Sequence, residues 1–226
     1  MSSADTLKNQ LILIFQKMFG HFGPLNWWPG DSPLEVMLGA ILTQNTAWSN
    51  VEKALASLSQ KTGLDPEKIR QLSDVELAAC IRSSGYFNQK AKKLRVFLTY
   101  FHDRYGDSIE AMKEQPLERL RDELLSLHGI GPETADSILL YALDKLIFVV
   151  DAYTRRILAR HGLMHHTADY HAMQDLFQQN IPPDISLYNE YHALIVNTGK
   201  DFCRTKPLCD SCPLRTLLPP GGPCMP

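Results

Sequence analysis

The chain of 226 residues is 44% hydrophobic and carries a formal net charge of −2, enough apolar material for a sizeable core in one domain or two small ones. No apolar run is long enough to cross a bilayer, and the first residues, Met-Ser-Ser-Ala-Asp-Thr-Leu-Lys, lack a signal-peptide pattern, so a soluble intracellular protein with no membrane partner is expected. The near-neutral balance excludes the global basic excess common in nucleic-acid binders and leaves only local clusters of charge.

Along the chain, Trp27-Trp28-Pro29-Gly30 follows the turn signal Gly23-Pro24-Leu25-Asn26. Adjacent indoles cannot easily face one core, so either they contact a flat ligand or they are ordinary core and interface residues. A second island, Leu38 to Trp48, ends in Thr43-Gln44-Asn45-Thr46-Ala47-Trp48. Here Gln44 reads bottom-up as a helix-terminal amide, and Asn45 as a residue that bonds nearby backbone. Cys80, in Leu-Ala-Ala-Cys-Ile, reads as a buried small hydrophobe.

Ser84-Gly85-Tyr86 precedes the clearest helix. Phe87, Ala91, Leu94, Leu98, Phe101 and Tyr105 recur at alternating steps of four and three, a helical apolar stripe. Lys90, Lys92, Lys93 and Arg95 cluster on this segment, as do Arg155, Arg156 and Arg160, then Lys200, Arg204 and Lys206. Each cluster is a solvated face or an anion grip. Helical periodicity dominates, prolines punctuate, and the one strand-like run, Ile147 to Val150, has no evident partner. An all-α fold is predicted.

Leu124-Leu125-Ser126-Leu127-His128-Gly129-Ile130-Gly131-Pro132-Glu133-Thr134-Ala135-Asp136 predicts helix, tight turn, helix. Gly129 and Gly131 permit a sharp turn and close approach of another molecule, and Pro132 fits a first helical turn. Unpaired N–H groups at that helix start hold an anion without a basic side chain, and a nucleic-acid phosphate is the expected one. Glu133 suits the helix dipole there, or stands at a pocket edge. Asp151 precedes Ala-Tyr-Thr-Arg-Arg-Ile-Leu. It is a candidate N-cap with Thr154, and equally a rigid ionised carboxylate able to stabilise an oxocarbenium-like sugar or activate water against it.

Four of the five cysteines follow as Cys203-x5-Cys209-x2-Cys212-x11-Cys224. This density suits a metal site in a reducing compartment better than disulfides, and thiolates alone leave iron-sulfur cluster and structural zinc both open.

The hairpin, the Gly/Pro-rich turn and the downstream Asp151 together resemble the helix-hairpin-helix DNA glycosylase superfamily, of which endonuclease III is a member. The resemblance implies two helical domains. Residues 33–145 would form a helical barrel-like domain ending in the hairpin, and residues 1–32 would pack with 146–226, leaving an active-site cleft between the two. It further implies that Asp151 is the catalytic carboxylate and that His128, Gly129, Gly131 and Thr134 grip double-stranded DNA beside a flipped nucleotide. Gln44 would occupy the vacated space and Tyr86 would wedge against the opposite strand. The cysteines would carry a 4Fe-4S cluster in preference to zinc on Cys203, Cys209, Cys212 and Cys224, bracing a loop that carries Arg204 and Lys206 towards DNA phosphates. The first cysteine interval is one residue shorter than the family's usual spacing and the last is longer, which puts Cys224 in question.

Relatives that also cleave the strand carry a lysine two residues after the turn's second glycine, where this chain has Glu133. An amine forms a Schiff base with the sugar and a glutamate does not, so hydrolysis without strand cleavage is expected. The islands around Trp27, Gln44 and Tyr86 resemble the 3-methyladenine DNA glycosylase III subgroup, whose founding type lacks the cysteines. Alkylation at purine N3 or N7 makes the base a flat cation and a good leaving group. Indole faces attract such a cation by roughly 0.5–2 kcal/mol beyond stacking, so Trp27 or Trp28, Trp48 and Pro29 become the expected pocket. The expected protein is thus a monomeric repair enzyme, cytoplasmic or nucleoid-associated. The rival expectations are an endonuclease III-like enzyme for oxidised or mismatched pyrimidines and a non-catalytic DNA-damage-binding module.

Overall fold

A computed structural model describes residues 3–25, 27 and 30–225, and among these it holds twelve α-helices and no strand. The chain separates into two compact units, Trp28–Lys145 and Met1–Trp27 with Leu146–Pro226.

In the first unit, α2 (Pro33–Leu42) is the central element. Ser32 caps it by accepting from the Glu35 N–H at 3.2 Å and Pro33 occupies its first turn, as such positions favour. Leu34 and every residue from Val36 to Leu42 are buried, so this helix is surrounded by its neighbours rather than amphipathic. Around it stand α3 (Trp48–Thr62), α4 (Pro66–Gln71), α5 (Asp74–Cys80), α6 (Phe87–Tyr105), α7 (Ile109–Lys113), α8 (Leu117–Ser126) and α9 (Pro132–Ser137). A reciprocal Ser73–Glu76 capping box starts α5. On α6 the predicted stripe faces inward, with Ala91, Leu94, Leu98, Phe101 and Tyr105 buried and Phe87 half-buried. Cys80 is half-buried rather than fully enclosed, because it ends α5 at the rim of the core.

The charged runs require a correction, since several members are internal braces rather than solvated faces. Lys90 is 2% exposed, and its ammonium donates to Leu42 O at 2.8 Å and Ser84 O at 2.6 Å. Arg95 bonds Asp74 and the carbonyls of Arg70 and Leu72. A buried cation needs such partners, and the run pattern alone does not reveal them.

The second unit holds α1 (Ser3–Phe22), α10 (Ala152–Arg160), α11 (Tyr170–Gln178) and α12 (Ile185–Asp201). Its core is aromatic. Phe148 stacks on Phe177 at 4.0 Å, and Tyr188 and Tyr191 meet Phe148 edge-on. The run Ile147 to Val150 is fully buried yet forms no strand. Side chains of α11 replace the ladder: Gln178 Oε1 accepts from the Phe148 N–H, Gln174 Nε2 donates to Phe148 O, and the Tyr170 hydroxyl accepts from the Val150 N–H. Buried backbone groups need partners of some kind, and here α11 supplies them. No described helix is long and apolar enough to cross a membrane.

Candidate functional site

The hairpin lies within the first unit. α8 ends at Ser126, the Ile130 N–H bonds Leu127 O at 3.1 Å, and α9 begins at Pro132. Gly129 has φ +87, and a Cβ there would stand 2.6 Å from Lys93 Cε, so both backbone conformation and the neighbouring α6 side chain require glycine. Gly131 caps α9 without a side-chain acceptor, and the positive end of the helix lies at this turn. Behind the turn, Arg121 of α8 grips Asp136 of α9 with two bonds, 2.8 and 3.2 Å, and Asp136 is fully buried. The two helices are thus clamped by a bidentate ion pair. α9 runs on as a π-helical turn, Ile138–Ala142, buried apart from half-exposed Tyr141.

Gln44 is joined to this hairpin. Its Nε2 donates to Gly129 O at 3.1 Å and to Thr134 Oγ1 at 2.9 Å, while its Oε1 accepts from Lys93 Nζ. Thr134 is 6% exposed, and His128, Gly131 and Glu133 lie at the surface. Tyr86 is 67% exposed with φ +46 at the start of α6. Gln44, Asn45, Tyr86, Gln89, Lys90 and Lys93 line one polar recess. Burial and the charge of Lys93 pull the Lys90 amine down to about 8. Its two carbonyl bonds nevertheless fix it as a brace rather than a nucleophile.

Trp48 opens α3 half-buried, and its ring lies against Gly39 of α2, where a Cβ would stand 3.2 Å from Cη2. Trp27 is half-buried in the other unit. Trp28 and Pro29, also expected at a base pocket, lie outside the described residues.

Asp151 is the N-cap of α10 in the second unit. Its Oδ1 accepts from the Thr154 N–H at 2.7 Å and the Thr154 hydroxyl at 2.8 Å, and its Oδ2 stands 3.7 Å from Nε2 of His192 on α12. Burial opposes ionisation of this carboxyl. The His192 interaction and the two Thr154 bonds outweigh it, so the carboxyl is held below its ordinary range. α10 and α12 come this close because Gly199 faces Tyr153, where a Cβ would lie 2.3 Å from Cδ1. The sequence reading missed His192. Its one signal is a histidine among Tyr188, Tyr191, Leu194 and Ile195, the buried residues of α12.

Of the cysteines, Cys203, Cys209 and Cys212 line a single cavity of about 20 Å³ together with Arg160, His161 and Thr198. Burial raises the Cys212 thiol, and the neighbouring Cys203 and Cys209 add to the rise. Arg160 Nη1 reaches Cys203 Sγ at 3.2 Å, and its other bonds go to the carbonyls of Arg204 and Thr205. Two buried polar atoms, Arg160 Nε and Thr198 Oγ1, lack a hydrogen-bond partner among the described residues. Cys224 is exposed, with its N–H on Arg160 O at 2.9 Å. The donor chemistry suits a thiolate-bound metal group. The spacing is not that of a formed site: no set of three or more His, Cys, Asp or Glu among the described residues is arranged to hold a metal. Arg204 is exposed and its Nε is turned back to Lys200 O at 2.8 Å.

Comparison with known proteins gives a consistent result. The pattern described as "HhH-GPD superfamily base excision DNA repair protein" matches residues 38–183. A Methanocaldococcus jannaschii protein named as a DNA repair glycosylase is 45% identical over 203 residues, covering 89% of this chain and 92% of the relative. Endonuclease III of Sulfolobus acidocaldarius is 28% identical, covering 79% of this chain and 78% of that protein. Among solved structures, the Helicobacter pylori 3-methyladenine DNA glycosylase bound to 1,N6-ethenoadenine is 31% identical with a TM-score of 0.72, over 88% of this chain and 98% of that one. An endonuclease III–DNA covalent intermediate shares the fold at a TM-score of 0.81 and 23% identity, over 96% of each chain.

Proposed function

The chain belongs to the HhH-GPD superfamily of base excision DNA repair proteins, and from that membership we propose that it is a monofunctional DNA glycosylase that removes an alkylated, 3-methyladenine-like purine from double-stranded DNA. The observation that carries this reading is Asp151, a nearly buried carboxylate kept ionised at the start of α10. Such a group stabilises positive charge developing on the sugar as the base departs, and it directs water to the anomeric carbon. Electrostatic stabilisation of this kind is worth about 3–4 kcal/mol per well-placed group.

Glu133 supports hydrolysis over imine formation, because a carboxylate there cannot attack as an amine. The hairpin N–H groups, with His128, Gly129, Gly131 and Thr134, are assigned to a backbone phosphate. Gln44 and Tyr86 are assigned to the distorted duplex, and Trp27, Trp28, Pro29 and Trp48 to the extruded base. Relatedness to the ethenoadenine-bound glycosylase supports a modified purine. The endonuclease III relatives support the other reading, action on a damaged pyrimidine with strand cleavage.

Incubation with duplexes carrying 3-methyladenine, 7-methylguanine, hypoxanthine, ethenoadenine or thymine glycol separates these readings. The proposal expects release of a modified purine, strand breaks only after alkali, and no adduct trapped by borohydride. Breaks without alkali together with a trapped adduct would establish the rival reading.

We further propose that Cys203, Cys209 and Cys212, with Cys224 as the fourth ligand, hold a 4Fe-4S cluster. The three sulfurs on one cavity, with Thr198 Oγ1 and Arg160 Nε unsatisfied beside it, support this. When bound, such a group supplies a rigid cross-link of the loop carrying Arg204 and Lys206. Protein purified without oxygen should be brown, with broad visible absorption and about four irons per chain. Colourless protein containing zinc would replace the assignment.

A further inference from the structure

The carboxylate of Asp151 has two unlike oxygens. Oδ1 is occupied by both Thr154 donors, at 2.7 and 2.8 Å, whereas Oδ2 stands 3.7 Å from the His192 imidazole. His192 is 6% exposed and projects from the part of α12 that also buries Tyr188, Tyr191, Leu194 and Ile195. A buried polar ring is costly in such surroundings without a polar neighbour, and the Asp151 carboxylate is the one at its Nε2. Other charged groups nearby are committed elsewhere. Arg155 donates to the carbonyls of His166 and Ala168, Arg156 to those of Cys203 and Gly199, and the Tyr170 hydroxyl of α11 meets the Val150 N–H. The glycine contact between Gly199 and Tyr153 sets the distance between the helices that carry the pair.

We propose that His192 is a positioning residue for Asp151, holding Oδ2 in a fixed direction and keeping the carboxylate charged through the working pH range of base excision. The inference rests on Asp151 being the catalytic carboxylate. Thr154 alone orients Oδ1, as any N-cap would. His192 adds what a cap does not need, an imidazole nitrogen 3.7 Å from the second carboxylate oxygen. Its removal leaves burial, already the largest single influence, opposed by the Thr154 bonds alone, and the carboxyl then protonates at higher pH.

The test is a pH–rate profile of single-turnover base release for wild type and His192→Gln, with His192→Asn as a second variant and helicity and melting measured for each. Gln and Asn retain polarity but not the imidazole. The acid limb should move toward neutral pH in both variants, with about tenfold lower rate on the acid side for each pH unit of displacement, while the alkaline rate and duplex affinity change less than threefold. A folded variant with the wild-type acid limb overturns the proposal. An independent readout needs no variant: carbon-13 titration of the Asp151 carboxyl should show ionisation persisting below the ordinary aspartate range, and a midpoint at or above that range equally overturns it. A wild type that releases no base from any duplex would instead defeat the proposed function, a result separate from either of these.

Discussion

The hairpin and the carboxylate are built from different materials. From Leu127 to Thr134 the structure depends on backbone, a glycine at φ +87 and a helix start without a side-chain cap, held from behind by the Arg121–Asp136 ion pair. Around Asp151 it depends on side chains, the adjacent Thr154 on α10 and the sequence-distant His192 on α12, the two helices brought together by the glycine contact at Gly199. Such a grip tolerates changes in exposed charge but not in shape or in its buried clamp. A charged pair responds in the opposite way, being sensitive to pH and to single-atom exchange. On the proposed function the first binds and the second reacts, so mutations should separate the two.

The largest effect on the grip is expected from Arg121→Ala, which leaves the fully buried Asp136 without its bidentate partner. Loss of one member of a buried pair costs about 3 kcal/mol or more, read as a lower denaturant midpoint, and duplex affinity should fall with it. Gly129→Ala comes next, since it combines a left-handed backbone with a collision against Lys93. About 1–3 kcal/mol is expected, and isothermal binding to undamaged duplex should weaken while any base released per bound complex stays near wild type. Gln44→Ala should be mildest for stability, about 1 kcal/mol by thermal melting, because Lys93, Gly129 O and Thr134 each lose one bond beside a polar, partly hydrated recess. A variant in this series that impaired chemistry but spared affinity would break the division of labour.

The same contrast explains what could be read in the sequence. Gly129, Gly131 and Pro132 act within a few residues of one another, so turn chemistry exposes the hairpin directly, and the stripe from Phe87 to Tyr105 does the same for α6. The cap at Asp151 was legible because Thr154 follows closely. His192 was not, since nothing local to α12 says which helix it will face. Lys90, Arg95 and Arg160 look like surface charge in sequence, yet their bonds go to carbonyls that only the tertiary fold brings near. The strand-like run from Ile147 to Val150 shows the converse. Its apolar residues announce burial, but its hydrogen-bond partners sit on α11.

The carboxylate side has its own pH signature. Because Asp151 is held below its ordinary range when folded, the interactions there contribute stability above the unfolded carboxylate range and lose it as pH falls through the lowered value. Asp151→Asn removes that charge with little change in shape, which makes it the direct test of the central claim. With a duplex carrying a substrate purine, single-turnover base release should fall at least about a hundredfold, while duplex binding remains near wild type and the melting temperature at neutral pH falls modestly, as loss of the stabilised charge requires. Undiminished release by a folded Asp151→Asn protein would contradict the assignment of the chemistry to this carboxylate.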